Sequence, residues 1–242
     1  MDNQKMRQAF DIPHHANLFA LIYRRATELY GEKGTAAADE GTKLYGNQRG
    51  RRMAKRRTKD GRPLNMESYL LYGEWKDKNG LSSSHVSATA PVYCNRVERC
   101  GWCDAWKAAG LMEYGKNYCT YVDKSLVAGF NPQLSININS VLSQGGQSCD
   151  FEWLGFKIEN EQQAADFAAK GRVLGDRTTK DFLYHSGHLL LAMKSALVRN
   201  LGRQAAEEIR KKAVSDFAGM YGEEMADAVV RESKQDFSIV DY

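Results

Sequence analysis

The chain has 242 residues, of which 43% are hydrophobic and 26% charged, and its formal net charge at pH 7 is +4. This composition is typical of globular proteins, and the length fits one large domain or a domain with a helical extension. So small a net charge does not indicate binding to nucleic acid. No apolar run approaches the roughly 20 residues that span a bilayer, and the first residues lack the pattern of a signal peptide. We therefore expect neither nucleic acid nor a membrane among its partners, and a cytoplasmic location that keeps thiols reduced.

The N-terminal part of the sequence predicts helices. Residues 1–15 are expected to be irregular, with the histidine pair at positions 14 and 15 on the surface. Asn17 is a favourable N-cap, and the apolar residues that follow it keep helical spacing as far as Gly31. A second helix is predicted for residues 35–45.

A basic segment and a predicted hairpin come next. Residues 49–57 are interpreted as a solvated helix end, where cations favour the negative end of the helix dipole, with a phosphate or nucleic-acid patch as the alternative. Residues 68–75 have strand character, the Asn-Gly pair at 79–80 is a hairpin signal, and the return strand is predicted for 84–94. Because Pro91 cannot donate a hydrogen bond to a ladder, we expect this strand at an edge or with a bulge.

From residue 104 onwards the pattern predicts two helices, two strands and four further helices. The whole chain therefore predicts an α+β fold: an antiparallel sheet of about four strands packed with helices, plus a C-terminal helical extension. We expect residues 1–160 to form the α+β domain and residues 161–242 to form the extension, packed on the same domain. The amphipathic terminal helices leave pairing into a homo-oligomer open. The predicted elements are helices 104–109 and 114–128, strands 134–142 and 149–153, and helices 161–170, 181–200, 204–220 and 223–232.

All five cysteines lie between residues 94 and 149. Their odd number argues against a disulfide framework. Free cysteines often only fill space in a core. That interpretation is favoured for Cys94 and left open for Cys103.

The other three cysteines have features of reactive thiols. Cys100 directly precedes a predicted helix, whose dipole stabilises a thiolate. Cys119 lies one helical turn before Asp123, so its thiol shares a helix face with a carboxylate. Cys149 follows a Gly-Gly turn. We expect these three sulfur atoms to converge with the Asp123 carboxylate around one pocket.

Two kinds of chemistry fit such thiols. The Cys100-X-X-Cys103 spacing is typical of a zinc knuckle, but no second pair of this kind completes the site. His185 and His188 are three residues apart on a predicted helix and would be further ligands, although a polar helix face is the commoner place for such a pair. The second kind is a thiolate that attacks an electrophilic carbon while a carboxylate or histidine holds the proton. We favour the nucleophile, and with it neither a metal nor a cofactor.

Several motifs occur in a fixed order along residues 17–158: Tyr45-Gly46, Arg49-Gly50, Arg99-Cys100, Tyr118-Cys119 with Asp123, Gly129-Phe-Asn-Pro132 and Gly145-Gly-Gln-Ser-Cys-Asp-Phe151. This order resembles the L-2-amino-thiazoline-4-carboxylic acid hydrolase family. Cys94, Cys103 and the helical tail after residue 160 are additional to the pattern. The resemblance implies an α+β fold related to small-molecule-binding domains. It also implies hydrolytic opening of a small five-membered ring at its amidine-like carbon.

The predicted function is that of a cofactor-independent hydrolase that opens a C–N bond of a small cyclic amidine or amide. A thiolate from Cys119 or Cys149 would attack the ring carbon, and Asp123 would orient or deprotonate it. Cys100 and nearby backbone N–H groups would stabilise the developing charge. The alternative is a metal- or small-ligand-binding sensor domain that uses the same cysteines.

Five further residues are candidates for binding the substrate, which we expect to be a small molecule. Arg96 or Arg99 would hold a substrate carboxylate, although surface salt bridges are the commoner role of such residues. Trp102 or Trp106 would form a wall of the pocket. Asn131 is the fifth candidate and comes from the Gly-Phe-Asn-Pro motif of the resemblance.

Overall fold

The structure is a computed structural model that describes residues 2–240; Met1, Asp241 and Tyr242 lie outside it. The described residues form nine α-helices and a four-stranded antiparallel sheet, which confirms the predicted α+β class. None of the helices in this range is both long and apolar enough to cross a membrane. The helices are α1 (Asn3–Ala9), α2 (Ile12–Lys59), α3 (Met66–Leu71), α4 (Gly101–Ala108), α5 (Met112–Phe130), α6 (Glu161–Leu174), α7 (Phe182–Leu201), α8 (Arg203–Tyr221) and α9 (Glu223–Glu232), and the strands are β1 (Ser83–Ala88), β2 (Tyr93–Arg99), β3 (Ile136–Ser140) and β4 (Cys149–Trp153).

The N-terminal region is more helical than the sequence predicted. The segment expected to be irregular contains α1 and the start of α2, and Asp2 caps α1 by accepting a hydrogen bond from the Lys5 backbone N–H at 2.8 Å. The two helices predicted on either side of Gly31 are one element, α2, in which Gly31 departs from helical geometry with φ 53° and ψ −137°. Glycine adopts a positive φ without a steric penalty, and this explains why α2 kinks at this residue.

The strand predicted for residues 68–75 is wrong. These residues lie in α3 and in the segment after it, because Asn65 caps the helix by accepting a hydrogen bond from the Ser68 backbone N–H at 3.0 Å. Such a cap stabilises a helix by about 1 kcal/mol. Met66 and Tyr69, three residues apart on one helix face, are both buried. Capping and burial together outweigh the strand propensity of this tyrosine-containing segment.

The sheet has the strand order β1-β2-β4-β3, and each neighbouring pair is antiparallel. The predicted strand 84–94 is divided between β1 and β2, because the connection contains Pro91, which lacks the N–H that a ladder requires. The hairpin therefore joins β1 to β2 and does not lie at residues 79–80. In the β2–β4 register Val97 lies opposite Cys149, so the end of β2 is beside the start of β4.

One face of the sheet packs against helices in a hydrophobic core. Ile136 of β3 and the rings of Phe151 and Trp153 of β4 belong to this core, together with Phe130 of α5. The Phe151 and Trp153 rings stack with their centroids 5.5 Å apart. Because side chains two residues apart point to the same face of a strand, Cys149 shares this face with the two rings.

The chain divides into two compact units, and each combines segments from both sides of residue 160. The helices α2 and α5 contribute to both units. The predicted division into a domain of residues 1–160 and an extension of residues 161–242 stays a prediction. Within the described residues the first unit comprises 2–45, 101–122 and 180–237, and the second comprises 46–100, 123–179 and 238–240.

In the first unit the C-terminal helices pack on one another and on α2. Helix α7 contacts both α8 and α9. A Cβ atom built at Gly41 of α2 would lie 2.6 Å from the Met193 sulfur and 3.5 Å from the Ala196 Cβ of α7. This close approach shows that α7 packs against α2 at Gly41.

In the second unit α2 crosses α5 at two glycines of the sequence motifs. A Cβ atom at Gly50 would lie 2.1 Å from the Leu126 carbonyl oxygen, and one at Gly129 would lie 2.2 Å from the Asn47 carbonyl oxygen. Real Cβ atoms do not approach backbone so closely, so both positions require glycine at this helix separation. The crossing holds Arg49 of α2 next to the part of α5 that begins at residue 123.

We expect Gly50→Ala to lower the free energy of unfolding by about 1–3 kcal/mol, because the added methyl group forces the two helices apart. Urea unfolding of both proteins measures this loss. The matched control is Gly219→Ala on α8, where an added Cβ meets nothing within 4 Å. There the change should instead stabilise the protein by about 0.5–1 kcal/mol, because alanine favours a helix over glycine. Equal effects at the two positions would contradict the close crossing.

Candidate functional site

Three of the predicted catalytic residues lie together in the second unit. Cys149 begins β4, and Cys100 directly follows the last residue of β2, the strand that pairs with β4. Asp123 lies on α5. The negative charges of Asp123 and Cys100 both raise the pKa of the Cys149 thiol. We call Cys100, Asp123 and Cys149 the thiol–carboxylate cluster.

The carboxylate of this cluster is poorly solvated. Burial raises the pKa of Asp123 from 3.8 to about 6, and the nearby Arg49 guanidinium opposes the rise. Burial raises the pKa of the Tyr69 hydroxyl, and the negative charge of Asp123 raises it further. Asp123 is half-buried, and the Arg49 guanidinium is the nearby opposite charge that lowers its pKa. A pKa near 6 suits a general base at neutral pH.

Cys149 is buried with its thiol in the protonated form. The Leu142 backbone N–H donates a hydrogen bond to its sulfur at 3.3 Å, which favours the thiolate. Burial has the larger effect and raises the Cys149 pKa from 9.0 to about 11, with smaller contributions from Cys100, Asp123 and Asp150 in the same direction. The thiol therefore needs a proton acceptor or a nearby cation before it acts as a nucleophile.

The remaining cysteines are carried by α5, α4 and β2. Cys119 is half-buried on α5, one helical turn before Asp123, in the part of α5 that belongs to the first unit. Cys103 is buried on α4 in the same unit. Cys94 of β2 lies opposite Glu152 in the register, on the sheet face away from Cys149, and burial and the Glu152 charge raise its pKa. Cys94 is therefore not part of the thiol–carboxylate cluster.

The basic segment 49–57 was interpreted as solvated, which is wrong for four of its six cationic residues, because only Arg51 and Lys55 are exposed. Arg49, Arg52 and Arg56 are at most 3% exposed and surround the Glu74 carboxylate. Arg52 binds it through two hydrogen bonds of 2.7 and 2.8 Å, and Arg49 Nε lies 3.3 Å from it. The signal was present in the sequence, because residues 49, 52 and 56 are spaced to share one helix face. The sequence did not indicate that Glu74 supplies the carboxylate that these arginines bind.

Comparison with known proteins shows the family to which the chain belongs. The family model for L-2-amino-thiazoline-4-carboxylic acid hydrolase matches residues 13–153, which is more than half of the chain. The chain belongs to this family. The assignment confirms the resemblance and supports hydrolase activity. No curated protein and no solved structure matches the chain significantly.

All the candidate catalytic residues lie inside the region that matches the hydrolase family model. The match begins just before the buried His15 and ends at the last residue of β4. It therefore includes the thiol–carboxylate cluster, Cys119 and the Glu74 cluster of arginines. It leaves out α6 to α9, so the family assignment does not account for the C-terminal helices.

Three of the predicted substrate-binding residues make structural contacts in the second unit. Arg96 donates a hydrogen bond of 2.7 Å to Asp150 on the neighbouring strand, and it lies on the sheet face away from Cys149. Arg99 donates to the Gly80 carbonyl oxygen. Asn131 donates to the Leu64 carbonyl oxygen at 2.7 Å and fixes the loop after α5. Contact of these three residues with substrate stays a prediction. Arg96 does not lie on the sheet face that carries Cys149.

The two predicted pocket tryptophans lie on α4 in the first unit. Trp106 is fully buried, and its indole N–H donates a hydrogen bond to the Ala16 carbonyl oxygen at 2.8 Å. The Trp102 ring is half-buried, with its centroid 5.9 Å from that of Phe182 and 6.4 Å from that of His15. Trp106 thus fills the core, whereas Trp102 retains an accessible surface.

The histidines of the first unit were wrongly expected at the surface. His15, His185 and His188 are at most 1% exposed. His15 Nε2 lies 3.2 Å from the Tyr118 hydroxyl, and the His188 ring lies 4.9 Å from that of Tyr45. The sequence indicated these histidines but not their burial, because a histidine is compatible with either environment. Among residues 2–240 no three His, Cys, Asp or Glu side chains are placed to hold a metal ion.

Proposed function

We propose that this chain is a cofactor-independent hydrolase that opens a C–N bond in a small cyclic amidine or amide through a cysteine thiolate. Membership of the hydrolase family supports the reaction class, and the thiol–carboxylate cluster supports the chemistry. The thiolate adds to the amidine carbon, and the ring C–N bond breaks as its nitrogen takes up a proton. Water then hydrolyses the bond between sulfur and carbon, which returns the thiol.

Deprotonation of the Cys149 thiol has a large free-energy cost. Transfer of its proton from a pKa of about 11 to Asp123, with a pKa of about 6, costs on the order of 7 kcal/mol. A turnover of about 10 per second corresponds to a total barrier of roughly 16 kcal/mol, so this step leaves roughly 9 kcal/mol for the attack. A protonated amidine bound beside the thiol lowers its pKa and reduces the cost. A cationic substrate therefore activates this nucleophile, which is otherwise inert.

The observation that carries the proposal is the environment of Asp123. Burial raises the pKa of Asp123 to about 6, and carboxyl groups whose pKa is shifted in this way occur often at functional sites. An amidinium carries N–H donors and a positive charge, and it therefore complements this carboxylate. Once the amidinium is bound, Asp123 accepts the thiol proton and later returns it to the leaving nitrogen. Cys119, one turn earlier on α5, is the other candidate for the attacking thiol.

The test is Asp123→Asn, which we expect to lower kcat/KM by a factor of about 10² to 10⁴, the usual contribution of a general base. In the wild type kcat/KM should rise as the pH increases through about 6, the pKa of Asp123. The assay follows ring opening of 2-amino-thiazoline-4-carboxylate between pH 4.5 and 8. An active Asp123→Asn variant, or a pH profile unchanged by the substitution, would contradict the assigned role.

The same variant should be more stable than the wild type. The Asp123 pKa is higher in the folded state, so the folded protein loses stability as the pH rises from about 4 to about 6. The difference between 3.8 and about 6 corresponds to roughly 3 kcal/mol at neutral pH, and a neutral asparagine side chain at this position does not incur it. Urea unfolding at pH 7 measures the gain. Asp227→Asn, at an exposed position of α9, is the control and should change neither stability nor activity.

A further inference from the structure

A cavity lies in the second unit, between the end of α2, α3 and α6. Its volume is about 750 Å³, within the range of small-molecule sites. Its lining includes Arg57, Arg62, Leu71, Val173 and Arg177. We call it the α3–α6 groove, and it contains no residue of the thiol–carboxylate cluster.

A buried arginine in this groove has an unused donor. Arg57 is 5% exposed, and its Nε donates a hydrogen bond to the Ser68 hydroxyl at 2.7 Å. Its guanidinium carbon lies 5.2 Å from the centroid of the Tyr72 ring. Its Nη1 atom is buried and has no hydrogen-bond partner among residues 2–240. A buried guanidinium nitrogen without a partner is costly. Arg57 lines the groove, so its guanidinium charge favours an anion there.

The lining carries four cationic side chains and three carboxylates, so it has a small positive net charge, and each carboxylate has a partner within the protein. The Glu67 carboxylate is held by Lys170 at 2.6 Å, and that of Asp60 accepts a hydrogen bond from the Tyr72 hydroxyl. Asp166 accepts a hydrogen bond from Gln162 at 2.8 Å. The exposed side chains of Arg62 and Arg177 form no ion pair with any described residue. Two guanidinium groups at the rim and one inside the groove are therefore available to a ligand.

The rest of the lining is apolar. Pro63, Leu71 and Leu174 form part of the wall, and the Val173 side chain, which is 77% exposed, also lines the groove. We propose that the α3–α6 groove binds a small organic anion, with a carboxylate or phosphate group on Arg57 and an apolar body against Leu71 and Val173. Arg62 and Arg177 hold the anion at the rim. This site is separate from the proposed hydrolase site.

Isothermal titration of the full chain at constant ionic strength tests the proposal. The probes are hexanoate and phenyl phosphate, compared with hexanamide, which lacks the charge, and with inorganic phosphate, which lacks the apolar body. We expect one of the two organic anions to bind with a stoichiometry of one, and hexanamide and inorganic phosphate to bind at least tenfold more weakly. Which anion binds distinguishes a carboxylate ligand from a phosphate ester. Equal binding of hexanamide, or no binding of either anion, would overturn the proposal.

Variants locate the binding in the groove. Arg57→Gln removes the buried guanidinium, but Arg57 also binds Ser68, so this variant is titrated only after circular dichroism has verified its fold. The double variant Arg62→Glu with Arg177→Glu changes exposed residues alone and should weaken binding of the organic anion at least tenfold. Arg172→Glu, exposed on α6 outside the groove, is the control and should bind as the wild type does. Unchanged binding in the double variant would refute the assigned location.

Discussion

Alanine at Cys119 and, separately, at Cys149 is expected to abolish ring opening, whereas Cys94→Ala should retain at least about half of the wild-type kcat/KM. A nucleophilic thiol cannot be replaced by a methyl group, since the covalent intermediate no longer forms. Cys94 is the matched control for Cys149 because it is also a strand cysteine, on the opposite face of the same sheet. Steady-state assays with 2-amino-thiazoline-4-carboxylate, together with circular dichroism to verify the fold, measure the effect. Full activity in both the Cys119 and Cys149 variants would eliminate the thiol mechanism.

Thiol labelling separates the two candidate nucleophiles. The Cys149 pKa of about 11 predicts that iodoacetamide modifies this residue slowly below about pH 9, since the thiolate is the reactive form. If Cys149 is the nucleophile, a cationic amidine that is not hydrolysed should accelerate its labelling by lowering that pKa. Fast labelling at pH 7 that maps to Cys119 by mass spectrometry would instead assign the attack to Cys119. Fast labelling of Cys149 without any ligand would contradict its raised pKa.

Much of the fold was predictable because it depends on local patterns. The helix predicted at residues 223–232 has those bounds in the structure, and the alternation of Cys149, Phe151 and Trp153 places all three on one face of β4. The motif order also led to the correct family. Periodicity and motif spacing are local properties, and they suffice for such predictions. The strand predicted for residues 68–75 failed because the Asn65 cap selects a helix there.

The candidate site was less predictable because it depends on distant partners. The sequence indicated Cys100, Asp123 and Cys149 as reactive groups, but not that burial would give Cys149 a pKa of about 11. It gave no sign that His15 lies beside the Tyr118 hydroxyl, 103 positions later. Burial of this kind arises only when separate elements pack together. Long-range partners are therefore the information that single-sequence reasoning lacks.

The cluster of arginines around Glu74 also depends on a partner distant in the sequence. Its disruption is expected to cause the largest change in stability. The Glu74 side chain is fully buried and receives hydrogen bonds from Arg49, Arg52 and Arg56, all carried by one face of α2. Removal of the anion that these three guanidinium groups bind would bring like charges together in a poorly solvated environment. We therefore expect Glu74→Ala to lower the free energy of unfolding by about 3–5 kcal/mol, as for other broken buried ion pairs. Urea unfolding at pH 7 measures the loss.

Surface and salt controls identify the origin of this effect. Glu40→Ala removes a carboxylate that binds Lys43 at 2.7 Å on the exposed side of α2, and its cost should stay below about 1 kcal/mol. Glu74→Gln keeps an oxygen acceptor and should lie between the two alanine variants. Because salt screens exposed charges far more than buried ones, adding sodium chloride to about 0.5 M should leave the Glu74→Ala loss nearly unchanged. A loss as small as that of Glu40→Ala would mean that Glu74 does not hold the three arginines in place. The helix crossing at Gly50 would then be what positions the α2 face beside Asp123.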